Sequence, residues 1–189
     1  EKADSVLVAD DPGEEIVDVV VEPWDWQDRL VKRAFDIAFS GVGLLAGSPL
    51  MLLIAVAIKL DDGDSILYEQ ERTAEFGETF TVYKFRSMVE NAEAGTGATL
   101  SEEGKGDVDP RVTRVGRVLR RTHLDEIPQL WSILVGDMSV VGPRPERPEL
   151  DTDIELDDGV REWRRRWFVK PGLTGLAQIN DATGHEPER

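Results

Sequence analysis

DIAFSGVGLLAGSPLMLLIAVAIK, residues 36–59, decides the fold: every residue between Asp36 and Lys59 is uncharged, most are Leu, Ile, Val, Ala or Gly, and Lys32-Arg33 stands just before. About 20 such residues match the hydrocarbon thickness of a bilayer. In the middle lies Gly47-Ser48-Pro49-Leu50. Proline removes a helix hydrogen bond and pushes the residue before it away from helical angles, so a helix here is expected to kink or break at Ser48-Pro49. Bases at both ends would let the segment turn round and leave on the side it entered, because a straight span strands one basic end on the translocated face. The residues alone leave a re-entrant hairpin and a kinked span both open. A wholly buried soluble helix fits less well at this length in so acidic a chain.

Around this segment the 189-residue chain carries 38 acidic against 22 basic residues, a formal net charge of −16, with 40% apolar residues. That is enough for one ordinary core and too little for two large domains. The charge repels nucleic acid, which is excluded as a partner, and obliges any anionic substrate to be met by locally gathered Arg and Lys. Uniform acidity also suits concentrated salt, where screening removes self-repulsion, so a halophilic source is expected. Without cysteine there is no disulfide framework, thiolate metal site or Cys nucleophile. Residues 1–29 form an acidic leader with Asp11-Pro12-Gly13 and one short apolar run, Ile16–Val21, read as a linker with at most one strand. The chain opens at Glu1 without a signal-peptide pattern, which reads as a fragment of a longer protein.

Downstream, Ser65–Tyr68 and Thr79–Phe85 read as two strands of a small hairpin around a turn at Gly77. Residues 90–109 read as a loop rich in Gly, Ala, Glu and Asp. Asp109-Pro110 is expected to open a helix to about Thr122, with Val112, Val115 and Leu119 at helical spacing. A second helix is expected over Pro128–Val135, capped by Gly136. Ser139–Pro145 is an apolar step into a rigid turn, and Val160–Val169 mixes Arg with Trp and Phe as an interfacial amphipathic helix does. Lys170–Gly175 ends it in a Gly/Pro turn.

The sharpest chemical feature is Asp125-Glu126 between the two helices. At a helix start Asp125 would cap and Glu126 would sit in the first turn, where free N–H groups favour carboxylates and phosphates alike. Left to itself, such a pair is a plain cap with a solvated acid. Its setting differs, because Arg114, Arg117, Arg120, Arg121 and Arg144 gather around it in an acidic chain, and the guanidinium fork matches phosphate oxygens. Arg144 is held between Pro143 and Pro145. No Walker-type loop and no Gly-x-Gly-x-x-Gly after a strand is present, and His123 and His185 are isolated. A carboxylate-bound Mg²⁺ leaves no spacing mark, since it needs only one or two acids plus phosphate and water.

Six runs in order, Lys32–Asp36, Tyr83–Met88, Asp109–Gly116, Leu124–Trp131, Gly136–Pro145 and Lys170–Gln178, resemble the bacterial-type sugar transferases, the monotopic polyprenyl-phosphate phosphoglycosyltransferases. The resemblance covers about residues 30–180. It implies an α+β, mostly helical fold: a re-entrant membrane helix broken at Ser48-Pro49 (residues 30–60), then a catalytic domain (61–180) with a small β-hairpin and interfacial helices, and a truncated tail (181–189). The acidic leader would join a further N-terminal membrane domain. The reaction implied is transfer of a phosphosugar from a nucleotide sugar, a UDP-sugar, to a polyprenyl phosphate at the cytoplasmic face of the cell membrane. Asp125 would attack the sugar-linked phosphate and carry the phosphosugar covalently in a ping-pong cycle. Glu126, with Asp125, would hold Mg²⁺ or handle the proton, and Arg144 would grip phosphate. Lys84, Arg86 and Asp137 are second-rank candidates for the same pocket.

The acceptor that the resemblance implies is undecaprenyl or dolichyl phosphate, with dolichyl favoured if the source is a halophilic archaeon. Two departures bear on sugar or base selection: Arg72-Thr73-Ala74 stands where the family has Arg-x-Gly, and the loop 90–109 is long and acidic. A non-catalytic scaffold would be expected to lose the acid pair, and a nucleotide-sugar hydrolase would need no lipid-facing segment. Both features are present.

Overall fold

A computed structural model describes residues 25–89, 92, 110–148, 169–175 and 179. Helix α1 runs over Trp26–Asp61, followed by β1 (Leu67–Thr73), β2 (Thr79–Phe85), α2 (Arg114–Thr122), a 3-10 turn at Leu124–Glu126, α3 (Gln129–Val135), β3 (Ser139–Val141) and β4 (Gly172–Thr174). The architecture is therefore mixed helix and sheet, with one long apolar helix leading two small sheets. The leader strand, most of the 90–109 loop, all but Val169 of the interfacial helix at 160–169, and the tail lie outside the described residues.

α1 is apolar enough to cross a membrane, and little of its apolar stretch is buried. Asp28 in its first turn and Lys59 in its last complement the helix dipole. Asp36, Ser40, Ile54 and Ile58 are its buried residues, and with Leu44 and Met51 they form a stripe at steps of three and four. The opposite face leaves Val42 at 68%, Leu45 at 79% and Leu53 at 68% exposure. A core helix of a soluble protein would cover such side chains, so this face is built for an apolar surround.

Of the kink or break expected at Ser48-Pro49, the break is not found: Pro49 lies inside one helix, Trp26–Asp61. The reason is local. Pro49 cannot donate to the carbonyl of Leu45, but the Ser48 hydroxyl donates to that same oxygen at 2.8 Å.

Both ends of α1 are tied to one folded unit. At the leading end Arg33 donates to the carbonyls of Ile133 (2.6 Å) and Leu134 (2.7 Å), the orphan acceptors at the C-terminus of α3. Asp36 accepts from Lys32 (2.7 Å) and from the N–H of Val140 (3.0 Å), taking the place of a neighbouring strand along β3. At the trailing end Asp61 accepts from the N–H of Val115 (3.0 Å) on α2, and Asp62 pairs with Arg86. The core has two parts. Val82, Leu130, Ile133, Met138 and Val140 form one, with Leu44 of α1 against it. Phe85 and Leu119 join Ile54 and Ile58 in the other, with Met51 alongside. Ile127, just past the acid pair, packs on both.

β1 and β2 pair antiparallel, with Tyr68 opposite Lys84, Gln70 opposite Val82 and Arg72 opposite Phe80. The first strand thus runs later than the expected Ser65–Tyr68, because the ladder closes at Thr73↔Thr79 and draws in polar residues 69–73 that show no apolar alternation. α2 also starts later than Asp109-Pro110. Val112 bridges Met88, Thr113 donates its N–H to the Ser87 carbonyl at 3.1 Å, and the Thr113 side chain accepts from Gly116 N–H at 2.9 Å as the cap. α3 ends as expected on Gly136, at φ 109. The turn expected at Lys170–Gly175 contains a strand, since β4 pairs parallel with β3. Glycine permits this crossing: a Cβ on Gly172 would stand 2.1 Å from the Gly142 nitrogen.

Candidate active site

Asp125 does not cap α3. His123 adopts a left-handed conformation (φ 54) that ends α2, and Leu124–Glu126 then form their own 3-10 turn, while Pro128 occupies the start of α3. A non-glycine residue at such an angle costs energy, and here it is what swings both acids away from α2 and toward the hairpin. Leu124 and Ile127, packed into the core, hold the turn from either side.

From the hairpin, Lys84 reaches Glu126 Oε1 at 2.6 Å, with both side chains about one-quarter exposed. Burial alone would push the Glu126 carboxyl up; the Lys84 charge and hydrogen bond, then Arg144 and His123, outweigh it and hold it below its ordinary range. Asp125 goes the other way. Burial and the charge of Glu126 raise it, and Lys84 and Arg120 offset this only in part. Two adjacent acids are thus split, one firmly ionised and one with a more basic carboxylate.

Glu126 opens on a recess lined also by Arg72, Lys84, Gln129 and Arg144, with Val82, Pro145, Gly172 and Leu173; Asp125 is its neighbour on the turn and not part of the lining. Arg144 sits on a segment held by three of its backbone carbonyls. Gly172 N–H donates to the Pro143 carbonyl (2.8 Å), the Arg72 guanidinium donates to the Pro145 carbonyl (3.1 Å), and Thr73 N–H donates to the Glu146 carbonyl (2.9 Å).

The structure brings together Glu126, Lys84 and Arg144 of the residues singled out from sequence, with Asp125 on the same turn as Glu126. Others go elsewhere. Arg86 is buried beside α1, between Asp62 and Asp64, and outside the recess lining. Arg114, Arg117 and Arg121 are exposed on α2, and Asp137 is exposed beyond α3. The reason is helical pitch: with Gly116 and Leu119 turned to the core, positions 114, 117 and 121 face out. Arg120 is the exception, donating to the Ser87 hydroxyl at 3.0 Å. Sequence reasoning missed Arg72 and Gln129 as lining residues. Arg72 was findable from alternation, because it shares a hairpin face with Val82 and Lys84.

Residues 27–188 match the family described as bacterial sugar transferase. The chain belongs to that family. It is 44% identical over 161 residues to an undecaprenyl-phosphate glucose phosphotransferase of Komagataeibacter xylinus, covering 85% of this chain and 29% of that protein. To an exopolysaccharide production protein, PSS, of Rhizobium leguminosarum bv. phaseoli it is 40% identical over 158 residues, 83% of this chain and 77% of the relative. A UDP-glucose:undecaprenyl-phosphate glucose-1-phosphate transferase of Escherichia coli is 41% identical over 175 residues, 91% of this chain and 36% of the relative. The chain thus spans about a third of two of these relatives and most of the third. In this family's terms the acid pair, Lys84 and Arg144 all fall within the matched residues.

Proposed function

We propose that the chain transfers a phosphosugar from a UDP-sugar to undecaprenyl phosphate through a covalent intermediate on Asp125. The observation that carries this is the Lys84–Glu126 pair at 2.6 Å in a recess lined by basic side chains, with Asp125, its carboxylate made more basic by burial, on the same turn. The donor and acceptor classes come from the relatives' names, two of which are undecaprenyl-phosphate sugar-phosphate transferases.

In the first step an Asp125 oxygen bonds to the sugar-linked phosphorus. The bond from that phosphorus to the bridging oxygen breaks, and its electron pair leaves on uridine monophosphate. In the second step an oxygen of the polyprenyl phosphate attacks the same phosphorus, restores the Asp125 carboxylate and leaves a polyprenyl diphosphosugar. Arg144 neutralises phosphate charge during both steps, and Lys84 fixes Glu126 beside the nucleophile. The turn also suits a magnesium ion. Burial first and then the Glu126 charge raise the Asp125 proton affinity, and a cation would relieve that repulsion; the described residues form no cluster of three or more His, Cys, Asp or Glu, so phosphate oxygens and water would complete the shell. Asp125 and Glu126 would hold the ion, which supplies charge neutralisation on the transferring phosphate.

The same reading places α1 in the cell membrane with both of its ends, and the recess, on the cytoplasmic side. The support is packing, since residues 33–36 and 54–61 bind one folded unit while the face carrying Val42, Leu45, Leu52 and Leu53 is bare. The test of the reaction is intact-protein mass spectrometry of the detergent-solubilised chain with Mg²⁺ and a panel of UDP-sugars, without acceptor. A gain of one phosphosugar mass, absent in Asp125→Asn, is expected. No adduct with any donor, or an adduct that persists in Asp125→Asn, overturns the reading.

A further inference from the structure

We propose that Arg72 is a phosphate-binding residue, forming with Arg144 a subsite for the phosphate that leaves with the nucleoside. The inference rests on the reading of the recess as a nucleoside-diphosphate-sugar site. It begins with hairpin geometry. Arg72, Gln70 and Tyr68 on β1 share a face with Phe80, Val82 and Lys84 on β2, and Arg72, Val82 and Lys84 all line the recess. Lys84 stands at the carboxylate end of that face and Arg72 lies opposite Phe80, four residues, or about 13 Å of strand, further along. In-line displacement puts the leaving oxygen on the far side of the phosphorus from its attacker. With Asp125 on the turn that Lys84 grips, the far side is the Arg72 end.

The guanidinium is built for an anion rather than merely stapled down. One bond goes to the Pro145 carbonyl at 3.1 Å and one to Gln70 Oε1 at 2.5 Å, and both fix its orientation. A guanidinium has five N–H donors, so these two leave three on a side chain that lines the recess. Burial first, then the charges of Arg147 and Arg144, hold Arg72 below the ordinary guanidinium range, and Glu146 opposes them only in part. Gathered cations that repel one another in a partly desolvated pocket are stabilised when a phosphate enters among them. Arg144 also acts on Glu126, so it stands electrostatically between the two ends. The neighbouring Thr73-Ala74 adds a bond from the same strand end to the Arg144 segment, through Thr73 N–H.

The test uses uridine monophosphate and uridine as probes, titrated calorimetrically into the detergent-solubilised chain, because they differ only in the phosphate at issue. Arg72→Gln keeps an amide donor for the Pro145 carbonyl and removes the charge. It is expected to weaken uridine monophosphate about tenfold or more, to leave uridine unchanged, and to do so in the Arg144→Gln background as well. Unchanged monophosphate binding, or a loss that vanishes once Arg144 is replaced, overturns the inference and leaves Arg72 a positioning residue for Arg144. If Arg72→Gln does not fold, Arg72→Lys serves, with a smaller loss confined to the monophosphate expected from a single ammonium in place of a fork, and equal loss for both probes overturning it. A wild-type chain that binds the monophosphate no better than uridine defeats the nucleotide-sugar reading and this inference with it, a result distinct from failure of Arg72 alone.

Discussion

Lys84 Nζ stands 2.6 Å from Glu126 Oε1, joining the second strand of the hairpin to the turn that presents Asp125. It ties the β-hairpin to the acid pair, and its charge works against burial at both carboxyls, holding Glu126 down and opposing the rise of Asp125.

Lys84→Met therefore removes the largest of the effects that keep Glu126 ionised and leaves only Arg144 and His123 against burial. Both carboxyls move up. Since the ionised forms do the chemistry, activity on the acid side fails at a higher pH than in the wild type, and kcat at neutral pH drops by about 100-fold. A pH–rate profile checks this: an acid limb that stays in place after Lys84→Met removes the assigned role.

Asp125 and Glu126 carry opposite signs in the linkage of stability to pH. Glu126, lowered when folded, adds stability above its ordinary value of 4.5, and that contribution is lost as pH falls. Asp125, raised when folded, binds its proton more tightly in the native state, so its contribution worsens as pH rises above 3.8. Replacing this strained charge by a neutral isostere relieves it. Asp125→Asn is expected to abolish turnover yet raise the melting temperature at pH 7 by a few degrees, with the gain shrinking toward pH 3.5. Melting curves at the two pH values decide it, and a variant less stable at pH 7 contradicts the burial argument.

The sequence disclosed features whose cause is local. β2 alternates Phe80 and Val82 with Thr79, Thr81 and Tyr83, α3 has apolar positions and a terminal glycine, and both appeared where expected. What stayed hidden depends on partners far away. β4 is three residues beginning with glycine, and it is a strand only because β3 lies beside it. The late start of α2 follows from Val112 bridging Met88, and the turn holding Asp125 follows from His123 taking a left-handed angle that its sequence does not announce. Counting arginines along α2 located a basic helix but not which of its faces meets the site.

Gly116 tests the junction between α2 and the hairpin. A Cβ there would stand 2.0 Å from the Ser87 carbonyl oxygen and 2.6 Å from its carbon, backbone atoms that cannot swing aside. Gly116→Ala should cost about 3 kcal/mol or more despite alanine's better helix propensity. Thr113→Val, which removes only the cap to Gly116 N–H, should cost about 1 kcal/mol. Chemical denaturation of the two variants gives the comparison, and a Gly116→Ala protein as stable as Thr113→Val would show that Ser87 can yield.

Under the proposed placement of α1, Pro49 is what keeps its two ends on one side. Proline denies Leu45 O its helix donor, and Ser48 Oγ supplies one at 2.8 Å, so the segment keeps its helix in an apolar medium while lacking a rigid backbone bond at its centre. Pro49→Leu restores that bond and frees Ser48, which favours a straight rod of about 54 Å by helix rise alone. A straight rod draws its trailing end off the unit where Ile54 and Ile58 meet Phe85 and Leu119, and breaks the Asp61 bond to Val115 N–H. Single cysteines placed at Trp26 and at Leu60 in the otherwise cysteine-free chain, labelled from outside sealed vesicles, report the result. Both should behave alike in the parent and differently after Pro49→Leu. Identical labelling in the two backgrounds would show that the packed ends, rather than Pro49, hold the segment on one side.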